Sequence, residues 1–313
     1  MLRAGGLVAF PTETVYGLGA NALDAAAVAR IFSAKGRPAN NPLIIHVSDA
    51  AAAKGLAASW PQSAVRLEER FWPGPLTLVV TKNDRVPDIL TAGGGTVAVR
   101  APAHPVALAL LKATGIPLAA PSANRSSEIS PTSAEHVLRG LDGLIDMVLD
   151  AGPTSGGLES TVLDVTTSPP RLLRPGLIAP TDIEAVIGPI IRPERELSVL
   201  GPLVVRSPGM LGRHYAPRAP LECVAGDARD RVEALCGEGL RVGWLTFAAP
   251  KEQGLRVMVR IMPSDPVAYG AQLYAALHEF DDTAIDRIVV ELPPPGEEWL
   301  AVRDRLRRAA LSI

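Results

Sequence analysis

Residues 7–19 read Leu-Val-Ala-Phe-Pro-Thr-Glu-Thr-Val-Tyr-Gly-Leu-Gly, and the reading of this stretch sets the fold class. Residues 7–10 form a short apolar run that Pro11 stops, the signature of a buried strand. The turn that follows packs hydroxyls, a carboxylate and two glycines together, and glycine lets a backbone approach a ligand closely. By spacing alone it fits an ordinary strand-to-helix loop equally well.

Working outward, residues 24–33 place Ala25, Val28, Ala29 and Phe32 at helical spacing behind Asp24, a natural N-cap. Residues 43–47 form a continuous run built on the β-branched Ile44, Ile45 and Val47, again read as a buried strand. Further strands are expected at 76–81, 96–100, 118–120, 147–150, 160–164 and 171–174, and helices at 51–56, 63–71, 105–114, 132–141 and 181–187. Strands and helices intermingle without strict alternation, so the first part is expected to be a mixed α/β sheet with helices packed on it. Residues 189–220 lose this periodicity and fill with Pro, Gly, Arg and Ser, a linker composition. Beyond them, strands at 221–224, 241–247, 256–262 and 287–292 alternate with helices at 228–236, 266–279 and 299–310, which reads as a smaller doubly wound, Rossmann-like α/β domain. It carries no GxGxxG, so dinucleotide binding has little support there. The expected organisation is a catalytic domain at 1–190, a linker or lid at 191–219 and a C-terminal domain at 220–313.

Length and charge narrow the function classes. A chain of 313 residues exceeds the size at which one core usually keeps growing. Residues 1–206 carry 18 Lys+Arg against 18 Asp+Glu, and the remainder 13 against 15, adding up to the net charge of −2. Neither part is the strongly basic body that grips nucleic acid through its phosphates. Cys223 and Cys236 lack CxxC spacing and read as two buried small hydrophobes. No apolar run reaches membrane length, and no signal-peptide pattern opens the chain, so a cytoplasmic location is expected.

Several stretches break local rules, and such places are where function is sought. Lys35-Gly36-Arg37-Pro38-Ala39-Asn40-Asn41-Pro42-Leu43 sets two cations around a glycine, with Asn donors behind, a set that suits an oligophosphate or a solvated turn. His46 lies inside an apolar strand, where a satisfied core histidine is the commoner case. Three glycines, 93–95, precede a strand that opens on Thr96 and ends on Arg100, whose fork fits a carboxylate or a structural salt bridge. Ala120-Pro121-Ser122-Ala123-Asn124-Arg125-Ser126, with Pro131-Thr132 downstream, suits anion binding by backbone N–H groups or simple Asx and Ser turns. Glu159-Ser160-Thr161-Val162, Leu173-Arg174-Pro175-Gly176 and the linker's Ser207-Pro208-Gly209-Met210-Leu211-Gly212-Arg213-His214-Tyr215-Ala216-Pro217 complete the set.

Taken in order, these motifs resemble the threonylcarbamoyl-AMP synthases with a YrdC-like domain and a second C-terminal domain. The linker motif separates this two-domain form from single-domain relatives. The resemblance implies a YrdC-like twisted mixed sheet with flanking helices, followed by the smaller α/β domain. It implies that L-threonine, bicarbonate and ATP give threonylcarbamoyl-AMP and pyrophosphate, for threonylcarbamoyl-adenosine modification of tRNA, with hand-off to a tRNA threonylcarbamoyl-transferase. By the family pattern Thr14, His46, Arg100, Ser122 and Ser160 line the threonine pocket. Lys35, Arg37, Asn41, Thr96, Asn124, Thr132, Arg174 and Tyr215 surround ATP, and Lys35 and Arg37 are the catalytic cations. Residues 207–217 are expected to act as a lid. Mg²⁺ is expected with the phosphates, without a protein ligand. Direct tRNA binding is not required.

The main rival is an RNA-binding, translation-associated YrdC-like module, which the balanced charge of the first part disfavours. Carbamoyl transfer to a protein, as in hydrogenase maturation, would want zinc-finger-like cysteines, and a P-loop ATPase would want GxxxxGK[ST]. Ten residues precede Pro11, where the family usually carries a strand and most of a helix. A sheet lacking an edge element, and so an exposed strand, is one consequence to look for.

Overall fold

The computed structural model describes residues 1–192, 214–249 and 256–310, which divide into two compact units. The first comprises residues 1–126 and 131–192, and the second residues 127–130 together with 214–310.

In the first unit the chain runs β1 (Val8–Phe10), β2 (Gly17–Asn21), α1 (Ala25–Lys35), β3 (Ile44–His46), α2 (Ala50–Lys54), α3 (Gln62–Phe71), β4 (Leu76–Thr81), β5 (Thr96–Arg100), α4 (Pro105–Thr114), β6 (Leu118–Ala119), α5 (Ala134–Leu141), β7 (Met147–Val148), β8 (Thr161–Asp164), β9 (Arg171–Arg174) and α6 (Pro180–Ile187). The nine strands form one mixed sheet in the order β7-β1-β2-β6-β3-β5-β4-β8-β9. β1 is flanked by β2 and β7, so the edge falls on the two-residue β7 and β1 is not exposed.

Strand alternation gives the sheet two apolar faces. Ala9, Ile45, Leu78, Val97, Val99 and Leu163 enter the larger core, which takes Val28 and Ile31 of α1, Leu67 of α3, Val137 of α5 and Ile183 of α6. Val8, Phe10, Leu118 and Ala120 turn the other way, onto Ala107 and Leu111 of α4. Ile44, Val79, Ala98 and Val162 form a further small cluster. Asp24 caps α1 by accepting from Ala26 N and Ala27 N, and Gly36 ends it in the left-handed region at φ 59°.

β2 departs from the loop that the sequence pattern suggests for residues 17–21. Its residues Gly17-Leu18-Gly19-Ala20-Asn21 have no β-branched signal. The glycines have a packing reason: a Cβ on Gly19 would stand 2.8 Å from Phe10 Cε1 and 3.2 Å from Val8 O. Glycine there lets the Phe10 ring lie against the strand.

The second unit orders β10 (Leu221–Val224), α7 (Arg229–Gly237), β11 (Val242–Thr246), β12 (Val257–Ile261), α8 (Pro266–Asp281), β13 (Arg287–Glu291) and α9 (Leu300–Ala310). Its four strands are all parallel, in the order β10-β13-β11-β12, around Val232, Leu235, Val242, Trp244 and Val289. Cys223 and Cys236 are free and half-buried rather than buried, and burial pushes the Cys223 thiol up to about 11. Residues 193–213 of the expected linker, including 207–213 of the expected lid, lie outside the described residues.

Candidate active site

β3 and β5 are parallel with His46 opposite Arg100, so both side chains leave the carboxyl ends of neighbouring strands. On β5, Thr96, Ala98 and Arg100 share one face by alternation, as do Ile44 and His46 on β3. β4 and β8 start at this end of the sheet and β9 finishes there, through Leu76↔Thr161 and Val162↔Arg174. The threonine-pocket residues expected from sequence therefore gather from several elements, while Thr96 opens β5 at its far end.

Arg100 is 3% exposed and organises this region. Its Nε donates to Gly74 O at 3.1 Å and its Nη1 to Thr14 Oγ1 at 3.0 Å. Thr12 Oγ1 donates to Val15 O at 2.7 Å, so the 2.7 Å contact between the Thr12 and Thr14 hydroxyls runs from Thr14 to Thr12. A directed chain results, Arg100 to Thr14 to Thr12 to Val15, which holds the loop after β1 over the arginine.

Arg100 Nη2 lies 2.6 Å from Glu13 Oε1, an ion pair among buried atoms. Burial favours the neutral carboxyl, but the adjoining guanidinium prevails and holds Glu13 below the usual carboxylate range. Burial, reinforced by the Arg100 charge, pushes the His46 imidazole well below its ordinary value. The ring is therefore neutral. It meets Phe10 edge-on at 6.1 Å between centroids, and its Nδ1 is buried without a hydrogen-bond partner among the described residues. This is not the satisfied core histidine that base expectation favours.

A second group forms around the end of α1. Lys35 is 2% exposed, and its Nζ donates to Ser122 O at 2.6 Å and to Asn124 O. Arg37 Nη2 donates to Asn41 Oδ1 at 2.6 Å and to Pro42 O at 2.9 Å, and its Nε donates to Asn41 O at 2.9 Å. Carbonyl and amide oxygens thus fix the heads of two buried cations within this group.

A third group joins Ser160, Thr77 and Arg174. Arg174 Nη2 donates to Ser160 O at 3.0 Å and to Ser160 Oγ at 3.2 Å, and the Ser160 and Thr77 hydroxyls stand 2.7 Å apart. Backbone bonds link the loops: Leu18 N to Pro121 O, Ala123 N to Tyr16 O, Tyr16 N to Pro131 O and Thr154 N to Thr132 O. Thr132 Oγ1 lies 3.2 Å from His136 Nδ1. In the second unit, Tyr215 adopts φ 62°, stacks on Tyr274 at 5.8 Å and lies under the Arg305 guanidinium at 5.1 Å.

A family model described as Telomere recombination matches residues 1–176, and one described as Threonylcarbamoyl-AMP synthase, C-terminal domain, matches residues 178–311. The chain is 47% identical to the threonylcarbamoyl-AMP synthase of Pyrococcus abyssi, over 99% of this chain and 92% of that protein. It is 46% identical to the Bacillus subtilis protein of the same name, over 99% and 91%. The crystal structure of P. abyssi Sua5 complexed with L-threonine superposes with a TM-score of 0.91 at 44% identity, covering 99% of this chain and 92% of that one. The chain belongs to the threonylcarbamoyl-AMP synthase family.

For a threonylcarbamoyl-AMP synthase, sequence reasoning passes over four positions. Glu13 stands in plain view in the loop after β1, yet its ion pair with Arg100 joins residues 87 apart in the chain and has no local signal. Thr77 likewise meets Ser160 only through strand pairing. Gly156 and Gly176 are close-approach glycines, where a Cβ would stand 2.7 Å from Glu13 O and 2.3 Å from Thr161 N respectively. Glycine in a loop motif is the available cue. Among the described residues no group of three or more His, Cys, Asp or Glu side chains could hold a metal ion, and no helix is long and apolar enough to cross a membrane.

Proposed function

We propose that this chain is an L-threonylcarbamoyladenylate synthase, converting L-threonine, bicarbonate and ATP into threonylcarbamoyl-AMP and pyrophosphate. What carries the reading is that the likeness runs through both units, covering 99% of the chain at 47% identity to a protein of that name. The threonine amine and bicarbonate condense to a carbamate with loss of water. A carbamate oxygen then attacks the α-phosphorus of ATP in line, and the bond to pyrophosphate breaks. Such displacement demands positioning and charge neutralisation more than covalent help.

Arg100 takes the threonine carboxylate, its orientation preset by Gly74 O and Thr14 Oγ1. Thr14, Ser122 and Ser160 offer hydroxyls to the amino acid. His46, held neutral, can accept from the substrate without repelling its amine. Lys35 and Arg37 supply positive charge where pyrophosphate departs. Asn41, Thr96, Asn124, Thr132 and Arg174 complete the nucleotide's surroundings. Thr96 and Arg100 share a face of β5 four residues apart, about 13 Å at the usual strand rise. That span suits an amino acid at one end and a triphosphate at the other.

The described side chains do not offer a carboxylate or imidazole cage for Mg²⁺. The ion would arrive on the phosphates of ATP. The product is an activated, water-sensitive anhydride, so a transferase that passes the threonylcarbamoyl group to tRNA adenosine is the fitting acceptor, in the cytoplasm. Pyrophosphate release, with threonine and bicarbonate omitted in turn, tests the reading. Release that ignores threonine would overturn it. Salt-sensitive RNA binding without threonine-dependent release would favour the RNA-binding alternative.

A further inference from the structure

Glu13 brings a carboxylate into a group otherwise made of hydroxyls, an imidazole and a guanidinium. Burial opposes its charge, while the Arg100 guanidinium and the Ala103 amide uphold it. Its Oε1 lies 2.6 Å from Arg100 Nη2, a contact of charges rather than an aligned hydrogen bond. Both carboxylate oxygens and Nη2 are buried, and none of the three makes a hydrogen bond of good geometry among the described residues. Buried polar atoms in that condition are costly unless a ligand supplies the missing partners.

The backbone keeps this carboxylate in place. Glu13 O accepts from Gly156 N at 2.8 Å, and Thr14 N and Val15 N both donate to Thr12 Oγ1, at 3.2 and 3.3 Å. A Cβ on Gly156 would stand 2.7 Å from Glu13 O, so the two loops meet in a contact that needs glycine. Displacing Glu13 from Arg100 with an incoming carboxylate would leave a buried ion without its cation, the expensive way to break such a pair.

A zwitterion avoids that cost. Arg100 gives its Nε proton and one Nη1 proton to the neutral oxygens of Gly74 and Thr14, so protons remain on Nη1 and Nη2 for a second carboxylate. Two carboxylates on one guanidinium repel unless a further cation lies with them. A free α-amino acid carries that cation on the carbon beside its own carboxylate. Its ammonium is all donor, the complement of carboxylate oxygens without aligned donors. His46, the neighbouring ring, is neutral and does not compete for Glu13.

We propose that Glu13 receives the α-ammonium of threonine while Arg100 receives its carboxylate, so that the pair selects an α-amino acid over an α-hydroxy acid. The proposal rests on the assignment of Arg100 to the threonine carboxylate made above. Charges then alternate through the pocket: guanidinium, substrate carboxylate, substrate ammonium, Glu13.

Calorimetry on the full-length protein tests this with L-threonine and with 2,3-dihydroxybutanoate of the same configuration, which is threonine with a hydroxyl in place of its amine. Wild type is expected to bind threonine about ten- to a hundredfold tighter than the hydroxy acid, as charge-assisted bonds to an ammonium commonly contribute. Glu13→Gln should cut that preference about tenfold by weakening threonine alone, and KM for ATP in pyrophosphate release should not move. Equal weakening of both ligands would make Glu13 a support for Arg100, and equal tightening would make it a competitor for the arginine. Either result, an unchanged preference, or a wild type without the preference overturns the proposal. If Glu13→Gln does not fold, Glu13→Asp decides, because its shorter carboxylate must lose threonine more than the hydroxy acid. A wild type that binds no threonine refutes the synthase reading and this proposal with it. Threonine-dependent pyrophosphate release with an undiminished preference in the variant refutes the Glu13 assignment alone.

Discussion

Replacing Gly176 by alanine isolates one structural demand of the site. The backbone there is not in the left-handed region, so alanine meets no torsional objection. The objection is contact: its Cβ would stand 2.3 Å from Thr161 N, 2.4 Å from Ser160 C and 2.6 Å from Glu159 O. All three are backbone atoms, which cannot swing aside as a side-chain tip can. Ordinary van der Waals contact begins at 3.4 Å, so the strands' connecting loops must part by 3.4 − 2.3, or 1.1 Å. They are bonded together on both sides of the clash. Arg174 Nη2 donates to Ser160 O at 3.0 Å, Ile178 N donates to Thr161 Oγ1 at 3.0 Å, and Thr161 N donates to Pro75 O at 3.0 Å.

Overpacking of this kind costs about 1–3 kcal/mol, and each hydrogen bond stretched open about 1 kcal/mol more. A displacement near 1 Å at a reacting centre costs up to about a hundredfold in rate. Gly176→Ala is therefore expected to lower stability in urea by about 2–4 kcal/mol, and kcat/KM for threonine by about ten- to a hundredfold under conditions where the variant is folded. Gly95→Ala serves as the control, because nothing lies within 4 Å of its added Cβ and its φ is not positive. Urea unfolding monitored by tryptophan fluorescence, with initial rates of pyrophosphate release, reads both effects. If Gly176→Ala matches Gly95→Ala in both, the close approach of the two loops is not what positions Ser160 and Arg174.

Arg100→Lys removes the planar fork that reaches Gly74 O, Thr14 Oγ1 and Glu13 together, and should raise KM for threonine about tenfold or more with little change in KM for ATP. Initial-rate kinetics with each substrate varied checks the split. His46 should make stability fall with acid. Its folded-state value lies well below 6.5, so in that window the unfolded chain binds one proton more and stability drops as pH falls, by up to about 1.4 kcal/mol per unit. Urea unfolding of His46→Gln between pH 7 and pH 5 should show a slope shallower than wild type by that amount. Gly237→Ala, in the exposed last turn of α7 with nothing within 4 Å of the added Cβ, should raise stability by about 0.5–1 kcal/mol without touching activity.

What could be read from the chain beforehand divides by the range of the interaction. α1 behind Asp24, α4 at Pro105–Thr114 and the four parallel strands of the second unit carry local pattern, and they lie where periodicity and capping put them. β2 escaped because its glycines serve Phe10, a partner on another strand, so the residue that enables packing erases the strand signal. The site follows the same rule. Each motif marks a loop, but the pairings that make chemistry possible join Glu13 to Arg100, Lys35 to Asn124 and Thr77 to Ser160, and all of them depend on the sheet order.

The consequence is clearest at residues 127–130. In sequence they are unremarked filler between two motifs, whereas in the structure they group with the second unit, where Ser127 O accepts from Ala216 N and Ser130 O stands 3.2 Å from His278 Nε2. The partner of Ser130 sits 148 positions away, on a helix whose own pattern says only that it packs against a small parallel sheet, so neither flanking motif marks it.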